Sequence, residues 1–185
     1  MQARNLGRAA GIEQLASNST ILGAAGEHYV MCQLLRRNLI AALAPVGVPN
    51  ADIIVTDQIG DQLCAVQVKV RRDIGSDGGW HMKDKHEGIA EDRLFYCLVD
   101  FGKELEDPPR CWIIPSKIIA RVLTETHEVW FKTPGRDGRP HQKTDMRRLL
   151  PDFTKRGVPS YGPDWLKPYK DAWSLISEQL PQILR

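Results

Sequence analysis

The stretch Pro49–Val70, PNADIIVTDQIGDQLCAVQVKV, decides the fold. Asp52 to Thr56 and Leu63 to Val70 are β-prone, and a polar turn around Gly60 and Asp61 separates them, so the pair predicts a hairpin. Successive side chains of a strand alternate between its faces, so Gln67 and Lys69, two apart, share one face. Asp52 opens the other strand. Fourteen residues separate it from Gln67, enough for two strands and a turn, and pairing can bring the aspartate beside the Gln-x-Lys end.

Upstream, after a polar lead, Ser19 or Thr20 can cap a helix running to about Arg37, with Leu22, Ala25, Tyr29 and Cys32 as its apolar stripe. Glu27 falls off that stripe, on a face shared with Gly23, Val30, Met31 and Leu34, so its carboxylate projects among mostly apolar neighbours. Gly23 and Gly26 each cost a helix interior about 1 kcal/mol relative to alanine. Such glycines predict a close backbone approach, here against a sheet. Leu39 to Ala44 forms a further strand before the hairpin.

Downstream, a loop rich in Gly and Asp covers Asp73 to Gly79, and Leu94 to Phe101 and Cys111 to Ile114 read as two more strands. Ser116 can cap a helix from Lys117 to about Thr126. From Thr133 to Pro163 the chain is punctuated by Gly and Pro and broken by short segments such as Asp145 to Leu150, which predicts an irregular arm. A last helix is expected from near Pro168, packing through Tyr169, Trp173, Ile176 and Leu180. The order α, β, β, β, then β, β, α is an α/β pattern, not the regular βαβ alternation of a doubly wound sheet.

Length and composition are consistent with this. Residues 1–185 fit one domain, with a core over 19–130 and a basic arm plus packing helix over 131–185. A hydrophobic fraction of 42% against 26% charged residues suits a folded chain. Cys32, Cys64, Cys97 and Cys111 form no CxxC pair and lie in apolar stretches, as reduced core residues of a cytoplasmic protein would. Neither a signal-peptide h-region nor a run of roughly 18 apolar residues is found, so no membrane partner is expected. Net charge is only +2. Locally, however, Lys132, Arg136, Arg139, Lys143, Arg147 and Arg148 face only Asp137 and Asp145, and Lys69, Arg71 and Arg72 form a second basic group. These are candidate phosphate contacts, or a solvated face.

Phosphodiester hydrolysis needs an oxygen-ligated divalent cation that polarises the phosphate and acidifies a bound water, and a group that orients that water. A carboxylate, an amide oxygen, a strand carbonyl and a lysine can supply those parts. Through GAAGEHYV around Glu27, PNADIIV around Asp52 and AVQVKV around Gln67 and Lys69, the sequence resembles the PD-(D/E)xK nuclease superfamily. Its restriction-endonuclease-like core runs helix, three-stranded meander, helix, strand. LFYCLVDFG, CWIIPSKII and PYKDAWSLI also look like a mostly uncharacterised bacterial group with this core.

The resemblance implies a mixed central sheet flanked by helices. It implies Asp52 as principal metal ligand, Gln67 in the position usually held by Glu or Asp, and the Val68 main-chain carbonyl and Glu27 as further ligands. Lys69 would orient the attacking water. Mg²⁺ is the implied cofactor, with Mn²⁺ as a substitute, and DNA the implied partner; a homodimer or a protein partner is left open. Two departures stand out: the neutral Gln67, and KDKHEGIAEDR where a helix should separate the third and fourth strands.

Other readings remain beside it. The same fold can bind nucleic acid or protein without turnover, and a partner-binding accessory or immunity-type protein would use the arm as its interface. His81 and His86, near Asp84 and Glu87, match neither HExxH nor a zinc finger and read as surface residues. GSDGG lacks the Lys-Ser/Thr of a phosphate loop. Trp80, Trp112, Trp130, Trp165 and Trp173 read as core or anchoring residues, although tryptophans also stack bases.

Overall fold

The computed structural model describes residues 18–73, 78–135 and 137–180. The loop stretch that includes most of GSDGG, and Arg136, lie outside the described residues. Helix α1 (Ser19–Leu35) leads into strands β1 (Ile40–Leu43), β2 (Ile53–Thr56) and β3 (Leu63–Arg71). Strand β4 (Trp80–Lys83) and a 3₁₀ turn (Asp84–Gly88) follow, then β5 (Leu94–Asp100), β6 (Arg110–Pro115), α2 (Ser116–Lys132), β7 (Met146–Leu149) and the short α3 (Ser174–Ser177). The main sheet has the order β1-β2-β3-β5-β6. All its pairs are antiparallel except β3 with β5.

The hairpin registers Ile53 with Val66 and Thr56 with Leu63. Strand β5, LFYCLVD, is buried at every residue. It reads as a continuous apolar run because both faces of its sheet are covered. One face carries α1 and the C-terminal segment, joining Val30, Leu34, Val66, Val68, Cys97 and Trp173. The other carries α2 and the small β4-β7 sheet, joining Trp80, Tyr96, Leu98, Ile119, Leu123 and Leu149. This mixed five-stranded sheet between helical layers, its first three strands a meander that follows a helix, is the restriction-endonuclease-like architecture.

Several local expectations are corrected. Asn18, not Ser19 or Thr20, caps α1, its side-chain oxygen accepting from Thr20 N at 2.8 Å. The buried stripe of α1 is Gly26, Val30 and Leu34, while Ala25 and Cys32 are exposed and Leu22 and Tyr29 half-buried. The helix is apolar nearly all round, so its own pattern does not choose a face; the sheet does. Gly26 makes the choice possible, because a Cβ there would collide with Val70 Cγ2, whereas a Cβ at Gly23 meets nothing within 4 Å. Burying a side chain the size of Val30 or Leu34 contributes roughly 1.5–3 kcal/mol.

The arm is more ordered than its punctuation suggests. Met146–Leu149 pairs antiparallel with Trp80–Lys83; the sequence reading left the first within the irregular arm and gave the second no element. Four-residue strands with one buried face carry too few alternations to stand out from turn chemistry. Pro115 precedes α2, which extends to Lys132, and the Ser116 hydroxyl donates to Glu91 O at 2.7 Å instead of capping. The last helix is brief, because Asp171 adopts a left-handed φ of 51° and its N–H reaches Cys111 O at 3.0 Å. Trp173, Ile176 and Leu180 are nevertheless buried as expected.

Candidate active site

Asp52 sits one residue before β2, where its main chain is held on both sides. Its N–H donates to Val66 O at 2.9 Å, and its carbonyl accepts from Ala44 N at 2.8 Å. Asn50, at a left-handed φ of 61° that asparagine tolerates, turns the chain into this position. Its side-chain oxygen accepts from Lys85 Nζ at 3.2 Å. The backbone of Asp52 is therefore fixed before its carboxylate does anything.

That carboxylate points along β3. Oδ2 accepts from the Gln67 side-chain amide and from Val68 N, the latter at 2.7 Å. Because β2 begins only at Ile53, the Asp52 side chain takes over the edge of β3 from the neighbouring strand. A strand residue directs its N–H and its C=O to the same side, so the Val68 carbonyl leaves β3 on the edge that Asp52 occupies. Gln67 is buried, at 7% exposure. With its amide hydrogens turned to Asp52, it keeps Oε1 as an acceptor.

Lys69 lies two residues on. Burial lowers its pKa, the negative charges of Asp52 and Glu27 oppose that shift, and Lys85 adds to it. Glu27, half-buried on α1, is shifted upward, first by burial and then by Asp52, with His28 and Lys69 pulling the other way. Asp52, Glu27 and Lys69 thus lie within one another's fields, and the structure brings together the Asp52, Gln67, Lys69 and Glu27 of the sequence reading.

The sequence reading missed the far wall of this site. His86 is buried at 3% exposure, not on the surface, and its Nδ1 lies 2.7 Å from the Tyr96 hydroxyl. Burial, with Lys69 and Lys85 nearby, pushes His86 down to about 4. Tyr96 is registered directly with Gln67 across the parallel β3-β5 pair, and burial and the Asp52 charge raise its pKa. A tyrosine in the apolar run LFYCLVD was the one available signal, since a buried hydroxyl requires a partner.

The donor set suits a hard cation. Among the described residues no three His, Cys, Asp or Glu side chains form a metal-binding group. Two carboxylates, an amide oxygen and a main-chain carbonyl are instead the oxygen ligands that Mg²⁺ accepts alongside water and phosphate.

The basic residues divide. Arg71 is held by Asp100 at 2.7 Å and stacks over Trp80, 4.2 Å from the ring centroid, and the buried Arg147 is bridged to Glu87. Both charges are thus committed to partners inside the protein. Arg72 is half-buried and donates to Lys103 O at 3.2 Å, and Arg148 is half-buried beside a cleft. Lys132, Arg139 and Lys143 are exposed, Lys132 and Arg139 beside Glu128 and Asp137.

The fold is that of a restriction-endonuclease-like α/β protein. No family model matches the chain, and no curated protein does. Among solved structures, the bacterial homing endonuclease I-Ssp6803I is similar over 88% of this chain and 94% of its own, at 14% identity and a TM-score of 0.50. Archaeoglobus fulgidus Hjc, a Holliday junction resolvase from an archaeal hyperthermophile, is aligned over 69% of this chain and 83% of its own, at 12% identity and a TM-score of 0.39. At 14% identity the likeness to the homing endonuclease is one of fold. No helix among the described residues is long and apolar enough to cross a membrane.

Proposed function

We propose that the protein is a Mg²⁺-dependent nuclease that hydrolyses phosphodiester bonds in DNA. The observation that carries this reading is the convergence of Asp52, Gln67 and Lys69 on one strand end, with Asp52 fixed by Val68 N and Glu27 within its field. Asp52, Gln67 Oε1, the Val68 carbonyl and Glu27 would hold Mg²⁺, or Mn²⁺ in its place. When bound, the cation supplies Lewis-acid charge to the phosphate and lowers the pKa of a water. Lys69 orients that water, and its burial lets the amine give up a proton at a lower pH than an exposed lysine does. Lys132, Arg139 and Lys143, exposed on the arm, supply phosphate contacts independent of sequence.

Gln67 favours one second reading, a nuclease fold that binds DNA without turnover, because a neutral ligand leaves the cation less charge compensation. Incubation with supercoiled, linear and branched DNA in Mg²⁺ or Mn²⁺, beside Asp52→Asn, separates the two. Cleavage by the parent and none by the variant supports catalysis. DNA binding with metal but no cleavage supports the second reading, and equal cleavage by both proteins removes Asp52 from the mechanism.

A further inference from the structure

The two edges of the main sheet differ. On β6 the chain returns to cover the edge: Lys170 bridges to Trp112, and Asp171 N donates to Cys111 O at 3.0 Å. Among the described residues β1 has no such cover, since it pairs with β2 alone. Ala44 N donates to Asp52 O at 2.8 Å. Hydrogen-bonded positions alternate along an antiparallel strand, so Ala41 and Leu43 turn their N–H and C=O groups away from the sheet.

Natural sheets blunt a free edge with charge, proline or a bulge. Strand β1 has none of these. Its register with β2 is unbroken, and residues 38–51 carry no charge in a chain that is 26% charged. Ile40, Leu43 and Val48 are exposed, and Val46 is wholly so. Ile40 is registered with Thr56 and Thr56 with Leu63; Leu63 is exposed too, as is Ile59 in the turn between β2 and β3.

We propose that β1 pairs antiparallel with β1 of a second copy of this chain across a two-fold axis. Such an interface sets each patch against itself, so it requires a patch that does not repel itself. The uncharged run meets that requirement, whereas a strongly charged partner would find no counter-charge on it. Charge also sets the direction. Antiparallel pairing lays Arg36 and Arg37, just ahead of β1, toward the uncharged residues 44–48 of the second copy; parallel pairing would set the arginines of both copies together. The six exposed apolar residues leave roughly 350 Å² of side chain in water, most of the apolar share of an interface of about 800 Å² per partner. A four-residue strand adds few backbone bonds, so the dimer is one that dissociates at micromolar concentration.

Sedimentation equilibrium of the full chain in EDTA without DNA tests this, and its outcome is independent of whether the Asp52 site cleaves. The mass of a dimer is expected at about 100 µM, falling toward that of a monomer by about 1 µM. Ile40→Lys places on the edge the charge that such strands usually carry, and should weaken association by at least about tenfold. Val46→Glu should do the same with an unchanged circular dichroism spectrum, because Val46 touches little within its own chain. Raised salt should leave the parent dimer intact, since no ion pair holds it. A chain that stays monomeric at about 100 µM, or a dimer that is indifferent to both substitutions or dispersed by salt, overturns the proposal.

Discussion

The side-chain amide of Gln67 donates to the carboxylate of Asp52, so the two residues at the centre of the site hold each other before any ligand arrives. This pairing explains how a neutral residue suits a position where a carboxylate is usual. Two carboxylates there would face each other with one oxygen already engaged by Val68 N.

Gln67→Glu should therefore loosen the free protein and tighten its grip on metal. Unit charges 4 Å apart interact by about 4 kcal/mol at an effective dielectric near 20, before solvation and entropy reduce the net effect. We expect a lower melting temperature without metal and about tenfold tighter Mn²⁺ binding, roughly 1.4 kcal/mol, at a pH where the introduced carboxyl is ionised. Titration calorimetry without DNA checks this. Equal or weaker binding would show that position 67 does not face a cation.

Asp52 and Lys69 should differ in what their loss costs the fold. Asp52→Ala strands the buried Gln67 amide and the Val68 N–H, at about 1–3 kcal/mol, while Asp52→Asn keeps an acceptor. Lys69→Met removes a charge disfavoured by burial and should leave the melting temperature unchanged or higher, with cleavage lost. A Lys69→Met protein that still cleaves at the parent rate would remove Lys69 from the mechanism.

His86 should set part of the acid limb of stability. Its pKa falls from 6.5 to about 4 on folding, so below pH 6.5 the unfolded chain takes up the proton first. Stability is lost as pH falls through that window, by roughly 3 kcal/mol once both states are protonated. Urea unfolding of the parent and His86→Gln at pH 7, 5.5 and 4.5 should show the variant gaining relative to the parent as pH drops. Parallel curves would contradict the burial of a neutral imidazole.

Two glycines on one helix should respond oppositely to alanine. Gly23→Ala should stabilise by about 0.5–1 kcal/mol, since its Cβ meets open space. Gly26→Ala should destabilise by about 1–3 kcal/mol, because the β-branched Val70 cannot rotate out of the way cheaply. Denaturant midpoints of the two variants decide the matter.

Neutralising Lys132, Arg139 and Lys143 should flatten the dependence of log DNA affinity on log salt by about one unit for each phosphate contact removed. An unchanged slope would turn the arm toward solvent or a protein.

Much of the site was legible because its signals are local. The β-prone runs around a polar turn gave the β2-β3 hairpin, and spacing along it allowed Asp52 to meet Gln67, as the hydrogen bonds now record. His86 was not legible, because KDKHEGIAEDR has no periodicity to show which of its polar residues turns inward. The β4-β7 sheet was equally hidden, since the two four-residue strands are joined only through a contact spanning more than 60 residues.

By itself, then, the sequence determined the order of the two long helices and the five main-sheet strands, the hairpin and the residues at its end, because strand alternation and turn chemistry act between near neighbours. Tertiary structure decided which face of α1 is buried, which arginines keep their charge at the surface, and that His86 and Tyr96 close the site. Those outcomes depend on what each segment packs against, and an apolar helix, a basic residue or a histidine carries no record of its partner in its own local pattern.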